Sequence, residues 1–113
     1  MNAVKYEKID SIAYIKLNRP NKLNAITDQM ASTMVSYLKD AKKDNQIKVI
    51  ILSGNGRAFS SGFDLEGGEK INDETVEQHL TRELRSSFDT ILEFWDFPKP
   101  IIAAVHGYCL GSS

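Results

Sequence analysis

The segment AFSSGFDL, residues 58–65, combines the features of a site built from backbone rather than from side chains. Two serines and a glycine lie between Phe59 and Phe63, and Asp64 follows directly. The run VIILSG just before it is short, apolar and rich in β-branched residues, which is typical of a strand buried on both faces. The segment therefore puts a glycine-bent loop at the carboxyl end of a predicted strand, where ligands bind in open α/β sheets.

A second glycine turn, HGYCLGSS at residues 106–113, follows the apolar run IIAAV. Its side chains include His106, Tyr108 and Cys109, but no Ser/His/Asp spacing typical of a catalytic triad occurs, and GNGRAF lacks the Lys-Ser/Thr ending of a phosphate loop. Two such loops can instead supply backbone N–H groups, and two converging donors form an oxyanion hole. We interpret His106 as a hydrogen-bonded structural residue on a buried strand, and Cys109 as a small buried hydrophobe.

The composition is that of a soluble globular domain, with 42% hydrophobic residues, 26% charged residues and a net charge of −1. No basic stripe favours a nucleic-acid partner, and no apolar run has the length of a membrane span. The start, MNAVKYEKID, lacks an apolar signal-like core, so we expect a cytoplasmic protein. The single cysteine excludes an intramolecular disulfide and a cysteine metal cluster, and we expect no metal.

Strand and helix signals alternate along the chain and predict the order β-β-α-β-α-β. VKYEKI and SIAYIKLN alternate in polarity around a turn at Asp10-Ser11, which fits a hairpin. Thr27 is the predicted N-cap of a helix that runs to about Asp44, and Asn72 or Asp73 the cap of a second helix. The runs VIILSG and IIAAV are predicted to be buried parallel strands. The predicted core faces of the helices are Met30, Met34, Leu38 and Ala41 in the first, and Leu80, Leu84, Phe88, Ile91, Leu92 and Trp95 in the second.

Four segments resemble the N-terminal part of the crotonase superfamily, the enoyl-CoA hydratases and isomerases. IKLNRPNKLNAI resembles the family's strand followed by Arg-Pro and Asn-Lys-x-Asn-Ala, and VIILSGNGRAFSSGFDL resembles its first oxyanion loop, A-F-x-A-G-x-D-L. KPIIAAVHGYCLG resembles the second strand and turn, which usually end in three glycines, and the amphipathic helix lies between them as expected. The resemblance implies an α/β fold, the crotonase-like superhelical spiral of ββα units. Residues 1–113 would be the N-terminal part of one catalytic domain, without its C-terminal half and trimerisation helices.

The resemblance also implies a site. Its catalytic groups would be the backbone N–H groups of Phe63 and Ser112, which hold the enolate of an acyl-CoA thioester. The coenzyme A thioester is the substrate, and no separate cofactor is implied. For Lys22 a solvated surface position remains an alternative to ligand contact. The residues implied to bind the substrate are Lys22, Leu23, Ala25, Ser61, Gly62, Asp64, Leu65 and Gly111.

Three residues depart from the family's pattern. Phe63 stands where alanine is frequent, and its ring is expected to shape the acyl pocket. Ser112 replaces the middle glycine of the triple-glycine turn, and its Cβ is expected to narrow the site. Glu66 stands where many members have a lysine near the coenzyme phosphates, which weakens the expectation of a cation there.

The predicted function is that of an acyl-CoA hydratase or isomerase of fatty acid metabolism. In the family the carboxylates that move the proton lie beyond the triple glycine, so we expect the 113-residue chain alone to be inactive. The alternatives are a non-catalytic or coenzyme-A-binding remnant, or another crotonase chemistry: thioester hydrolase, dehalogenase, or carbon–carbon lyase or ligase. The family commonly forms trimers and hexamers, so we expect the whole protein to be a homotrimer or hexamer.

Overall fold

The computed structural model describes residues 3–62 and 75–110. The predicted helix caps Asn72 and Asp73 lie outside these ranges, and so do Glu66 and five of the predicted site residues: Phe63, Asp64, Leu65, Gly111 and Ser112. The helices and strands in chain order are β1 (Val4–Ile9), β2 (Ile12–Leu17), a short 3-10 helix (Pro20–Lys22), α1 (Asp28–Lys43), β3 (Val49–Gly54), β4 (Ala58–Ser60), α2 (Val76–Trp95), β5 (Ile101–Ala103) and β6 (Tyr108–Cys109).

Four of the strands form a mixed sheet in the order β1-β2-β3-β5. β1 and β2 pair antiparallel around the predicted turn, where Asp10 has a positive φ of 53°. β2 pairs with β3, and β3 with β5, both in parallel. The predicted hairpin and the predicted parallel pairing are therefore confirmed, and the carboxyl ends of β2 and β3 lie side by side.

Helix α1 covers one face of this sheet and supplies much of the core. Thr27 is its N-cap as predicted, since the Thr27 hydroxyl accepts a hydrogen bond from the Met30 N–H at 3.1 Å. The apolar stripe of α1 packs on alternate residues of the strands, as its helical spacing predicts. The buried core cluster consists of Val4, Ala13, Ile15, Leu17, Ile26, Met30, Ala31, Met34, Leu38, Ala41, Ile47 and Ile50.

Helix α2 begins later than the sequence predicted. Its N-cap is Thr75, which forms a capping box with Gln78: the Thr75 hydroxyl accepts from the Gln78 N–H, and the Gln78 side chain accepts from the Thr75 N–H, both at 3.0 Å. The prediction of Asn72 or Asp73 as the cap is wrong, because the threonine with glutamine three residues later satisfies two N–H groups at once. Neither described helix has the length and apolarity that crossing a bilayer requires.

The predicted core face of α2 is wrong for its described apolar side chains. Trp95 is 83% exposed and Phe88 is 60% exposed, and Ile91 and Leu92 are also exposed. Helical spacing identifies an apolar stripe, but it does not tell whether a neighbouring element covers that stripe. The side chains of Leu80 and Leu84 lie outside the described residues.

The buried-strand predictions for VIILSG and IIAAV are correct in pairing but not in burial. In β3 Ile50 is fully buried while the other residues are half-buried, because α1 covers one face of the sheet only. In IIAAV only the first three residues form a strand, and Ile102 is 54% exposed, since β5 is the edge of the described sheet. Cys109, predicted to be buried, is exposed on β6.

Candidate functional site

Strands β4 and β6, which the sequence did not predict, join the two glycine loops. They pair in parallel as a separate two-stranded sheet. The Phe59 N–H donates to the His106 carbonyl oxygen at 2.9 Å, and the Leu110 N–H donates to the Ser60 carbonyl oxygen at 3.0 Å. The two loops are therefore bonded to each other as far as Ser60 and Leu110. The described residues end at Gly62 in the first loop and at Leu110 in the second.

Two of the segments that the family resemblance assigned to coenzyme A are in contact. The Ser61 N–H donates to the Leu23 carbonyl oxygen at 3.0 Å, and the Ile26 N–H donates to the Gly62 carbonyl oxygen at 2.8 Å. Ala25 lies between these two bonds and is half-buried. Lys22 is exposed at the end of the 3-10 helix. The predicted residues that the structure describes thus lie next to one another, and we call residues 22–25 and 61–62 the site surface, in which Asn24 and Gly62 are buried.

Asn24 holds this surface together and was missed as a site residue from the sequence. It is fully buried, and its side-chain amide donates to the carbonyl oxygens of Asn55 and Ala58, both at 2.9 Å. Its side-chain oxygen accepts from the Arg19 N–H at 2.7 Å. The side chain therefore links the loop after β2 to the turn before β4. The available signal was the second asparagine of NKLNA, a polar residue between Leu23 and Ala25 in a motif otherwise attributed to ligand contact.

The backbone at this surface adopts unusual angles. Leu23 and Asn24 have φ values of 52° and 55°, and Gly62 has a φ of 95°. Asparagine and glycine adopt the left-handed region readily, whereas leucine rarely does. Strained residues of this kind concentrate at functional sites, where the surrounding structure holds them in place. Leu23 adopts this conformation while its carbonyl oxygen accepts the hydrogen bond from the Ser61 N–H.

The turn between β3 and β4 is held from two sides. The Asn55 side-chain amide donates to the Asn18 side-chain oxygen at 2.9 Å, and His106 Nε2 lies 2.7 Å from the Gly56 carbonyl oxygen. Because a carbonyl oxygen accepts, Nε2 is the protonated ring nitrogen. The predicted hydrogen-bonded role of His106 is confirmed, but its predicted place on a buried strand is wrong, since His106 is exposed and follows β5. Gly107 has a φ of 59°, which suits a glycine at this turn.

Among the described residues, the shifted pKa values lie between β1 and α1. Lys8 contacts the carboxylates of Asp40 at 2.8 Å and Asp44 at 2.9 Å, and its hydrogen bonds lower the pKa of both carboxyl groups. The same bonds raise the pKa of Lys8. Burial and then the hydrogen bond to Asp40 raise the pKa of Tyr6 to about 12, and the Tyr6 ring stacks on Tyr37. This cluster lies near the hairpin turn, at the opposite end of the sheet from Gly62, and we assign it to stability.

Comparisons with known proteins agree with the sequence resemblance. A family model described as enoyl-CoA hydratase/isomerase matches residues 7–112. Human enoyl-CoA delta isomerase 2 is 39% identical over 104 residues, 92% of this chain and 26% of that protein. A solved enoyl-CoA hydratase/isomerase from Xanthobacter autotrophicus Py2 superposes with a TM-score of 0.84 at 39% identity, over 96% of this chain and 40% of that one. A probable enoyl-CoA hydratase from Mycobacterium smegmatis gives 0.81 at 41% identity, over 96% and 42%. The chain thus spans 26–42% of the length of these three proteins.

Proposed function

The chain belongs to the enoyl-CoA hydratase/isomerase family and has the N-terminal part of the crotonase-type α/β fold, and from this we propose that it supplies one half of an acyl-CoA site. In this proposal the surface formed by residues 22–25 and 61–62 receives the coenzyme A arm. Backbone N–H groups beyond it stabilise the enolate of the thioester. The whole protein then acts as a hydratase or isomerase on an enoyl-CoA.

One geometric relationship carries the proposal: the end of β4 and the residue after it, Ser60 and Ser61, are bonded to the two segments that such a site needs. On one side Ser61 is bonded to Leu23, and on the other Ser60 is bonded to Leu110. A ligand that lies along residues 22–25 is therefore led toward the place where the two glycine loops meet. An oxyanion hole needs this arrangement, because its two donors come from different loops and must converge on one oxygen.

The first proposed donor is the N–H of Phe63, the residue after Gly62, and the second is the N–H of Ser112. Both residues lie outside the described ranges. In a trans peptide the N–H points the opposite way from the preceding C=O. The Gly62 carbonyl oxygen is held by the Ile26 N–H. We therefore propose that the N–H that follows Gly62 is turned away from Ile26.

The chemical role proposed for these residues is to bind, orient and stabilise charge. The two N–H donors take up the negative charge that develops on the thioester oxygen when a proton leaves or water adds. A carboxylate outside residues 1–113 would transfer the proton, as general acid–base catalysis requires. We further propose that the whole protein assembles as a homotrimer or hexamer.

The test is a structure of the full-length protein with a bound acyl-CoA. The thioester oxygen should lie within about 3.2 Å of the Phe63 nitrogen. Coenzyme A without an acyl group is the control, and it should occupy the surface at residues 22–25 and leave the donor position empty. A thioester oxygen bound elsewhere would overturn the oxyanion assignment. Absence of both binding and turnover of enoyl-CoA would overturn the proposed function as a whole.

A further inference from the structure

We propose that Ser60 is a positioning residue of this site, which acts through a buried hydroxyl placed between Asn24 and Gly62. The proposal rests on the function proposed above. Neither the family resemblance nor the similarity to known proteins assigns a role to this side chain. Ser60 would contact no ligand itself, and its effect would pass through the backbone of Gly62.

The Ser60 hydroxyl uses both of its hydrogen-bonding capacities. It donates to the Asn24 carbonyl oxygen at 2.8 Å and accepts from the Gly62 N–H at 3.0 Å. Ser60 is fully buried. A buried hydroxyl with both roles satisfied has one orientation, because turning it would leave two buried polar groups unpaired.

These bonds fix Gly62 on both sides. The peptide before Gly62 is held through its N–H by Ser60, and the peptide after it is held through its carbonyl oxygen by the Ile26 N–H. Gly62 has a positive φ of 95°. Because glycine has no Cβ, its backbone has the widest choice of angles of any residue type. Without the hydroxyl, one of these two bonds is lost and the glycine can rotate. The N–H that follows would then no longer be directed before the ligand arrives, and preorganisation is what makes such donors effective.

Ser60 also connects the two loops. Its hydroxyl acts on the first loop, while its carbonyl oxygen accepts from the Leu110 N–H of the second. Asn24, which receives the hydroxyl's hydrogen bond, is itself anchored to the carbonyl oxygen of Ala58, at the start of the same strand. The hydroxyl therefore closes a ring of hydrogen bonds around the turn at Gly62, and this ring lies outside the main core cluster.

The first experiment compares three variants of the full-length protein in steady-state turnover of an enoyl-CoA. Ser60→Ala removes the hydroxyl and should lower kcat by about 10–100-fold with little change in KM, because binding of the coenzyme arm does not use this group. Ser60→Thr keeps the hydroxyl and should recover most of kcat. Ile50→Val is the control for lost stability, since it removes a methyl group from the core beneath α1, and its kcat should equal that of the wild type.

A second measurement does not depend on activity. In the 15N-labelled protein the Gly62 amide proton should be protected from exchange in the wild type and in Ser60→Thr. In Ser60→Ala, which lacks the hydroxyl that accepts the Gly62 N–H, it should exchange at least about ten-fold faster. A wild-type Gly62 amide that exchanges at the rate of an open loop would overturn the proposal even if Ser60→Ala does not fold. So would a folded Ser60→Ala with kcat within two-fold of the wild type. A wild type without turnover or acyl-CoA binding would instead contradict the proposed function, while the exchange result would still decide whether Ser60 fixes Gly62.

Discussion

The Ser61 N–H donates a hydrogen bond to the Leu23 carbonyl oxygen at 3.0 Å and so joins two segments that are far apart in the chain. Leu23 accepts this bond with a φ of 52°, a conformation that costs an L-residue roughly 1–2 kcal/mol. The surface proposed to receive coenzyme A is thus formed by backbone groups under strain and held by neighbours. Changes that alter the backbone there should matter more than changes that alter exposed side chains.

The first prediction concerns Lys22, which is either a ligand contact or a solvated surface residue. If Lys22 contacts a phosphate of coenzyme A, Lys22→Ala should weaken coenzyme A binding by roughly two- to five-fold, the usual value of an exposed ion pair. The loss should shrink as salt is added, because salt screens exposed charges. Titration calorimetry at low and high salt measures both effects.

Lys22→Arg is the matched control, since it keeps the charge and should bind coenzyme A nearly as well as the wild type. Equal affinity of Lys22→Ala and the wild type at low salt would favour the solvated alternative. That result would leave the backbone contacts of residues 23–25 as the proposed support for the ligand.

A pair of neighbouring substitutions tests the geometry of the first loop. Phe63→Ala keeps the proposed N–H donor and should enlarge the proposed acyl pocket, so preference between short and bulky acyl groups should change more than kcat on a short one. Gly62→Val should be far worse, because a β-branched residue resists the positive φ of 95° at this position. The values of kcat/KM for a short and a long enoyl-CoA measure both the change of preference in Phe63→Ala and the loss of activity in Gly62→Val. Equal and mild effects of the two changes would contradict the proposed loop geometry.

Asn24 should be among the most sensitive positions for stability. Asn24→Ala leaves the carbonyl oxygens of Asn55 and Ala58 and the N–H of Arg19 without their partner, and it places alanine at a φ of 55°. We expect a loss of about 2–5 kcal/mol in the free energy of unfolding, measured by urea denaturation. Thr33→Ala is the control, because the Thr33 hydroxyl bonds within α1 on an exposed face, and its effect should stay within about 0.5 kcal/mol. A similar loss of unfolding free energy in both variants would mean that the buried hydrogen-bond network around Asn24 contributes little to stability.

The sequence predicted those elements whose cause is local. Thr27 caps α1 through its own side chain, and the turn at Asp10-Ser11 sets the hairpin, so short patterns sufficed. The exposure of Trp95 and Cys109 could not be predicted in this way, because burial depends on which other elements cover a residue. The two-residue strand β6 also escaped prediction, since it exists only through its pairing with β4.

In the candidate site, too, a local feature was predicted from the sequence and a feature that depends on distant residues was not. The glycine bend at Gly62 was visible in the sequence, and the structure gives it a positive φ. The buried network of Asn24 and Ser60 was not visible, because its partners come from residues 18–26 and 55–62 and meet only in the folded chain. The family resemblance implied that these segments bind a ligand, but it did not indicate that hydrogen bonds join them.

The cluster around Lys8 predicts how stability depends on pH. The pKa values of Asp40 and Asp44 are lowered in the folded chain, so their contribution is present above the unfolded value of about 4 and is lost as the pH falls through the folded values. The pKa of Lys8 is raised, so its contribution is present at neutral pH and is lost in the strongly alkaline range. Urea midpoints should therefore fall as the pH is lowered from about 5 to about 3.

Lys8→Met removes the shared partner of both carboxylates, and this variant should show a shallower loss of stability in acid. Asp89→Asn, an exposed carboxylate on α2, is the control and should keep the wild-type slope. An unchanged acid slope in Lys8→Met would show that the fall comes from other carboxyl groups.

The last prediction is that residues 1–113 alone do not hydrate an enoyl-CoA. Hydration requires that the enolate be stabilised while a proton and a water molecule are positioned, and the proposed donors provide only the first of these. Each absent acid–base role typically costs about 10² to 10⁴ in rate. The chain spans 26–42% of the length of the enoyl-CoA proteins compared above, so the groups proposed to move the proton have room to lie elsewhere in the whole protein. A crotonyl-CoA assay on the purified 113-residue chain and on the full-length protein, side by side, measures the difference. Turnover by the short chain at the full-length rate, retained after a second purification and absent from a mock preparation, would show that its own residues carry the acid–base chemistry.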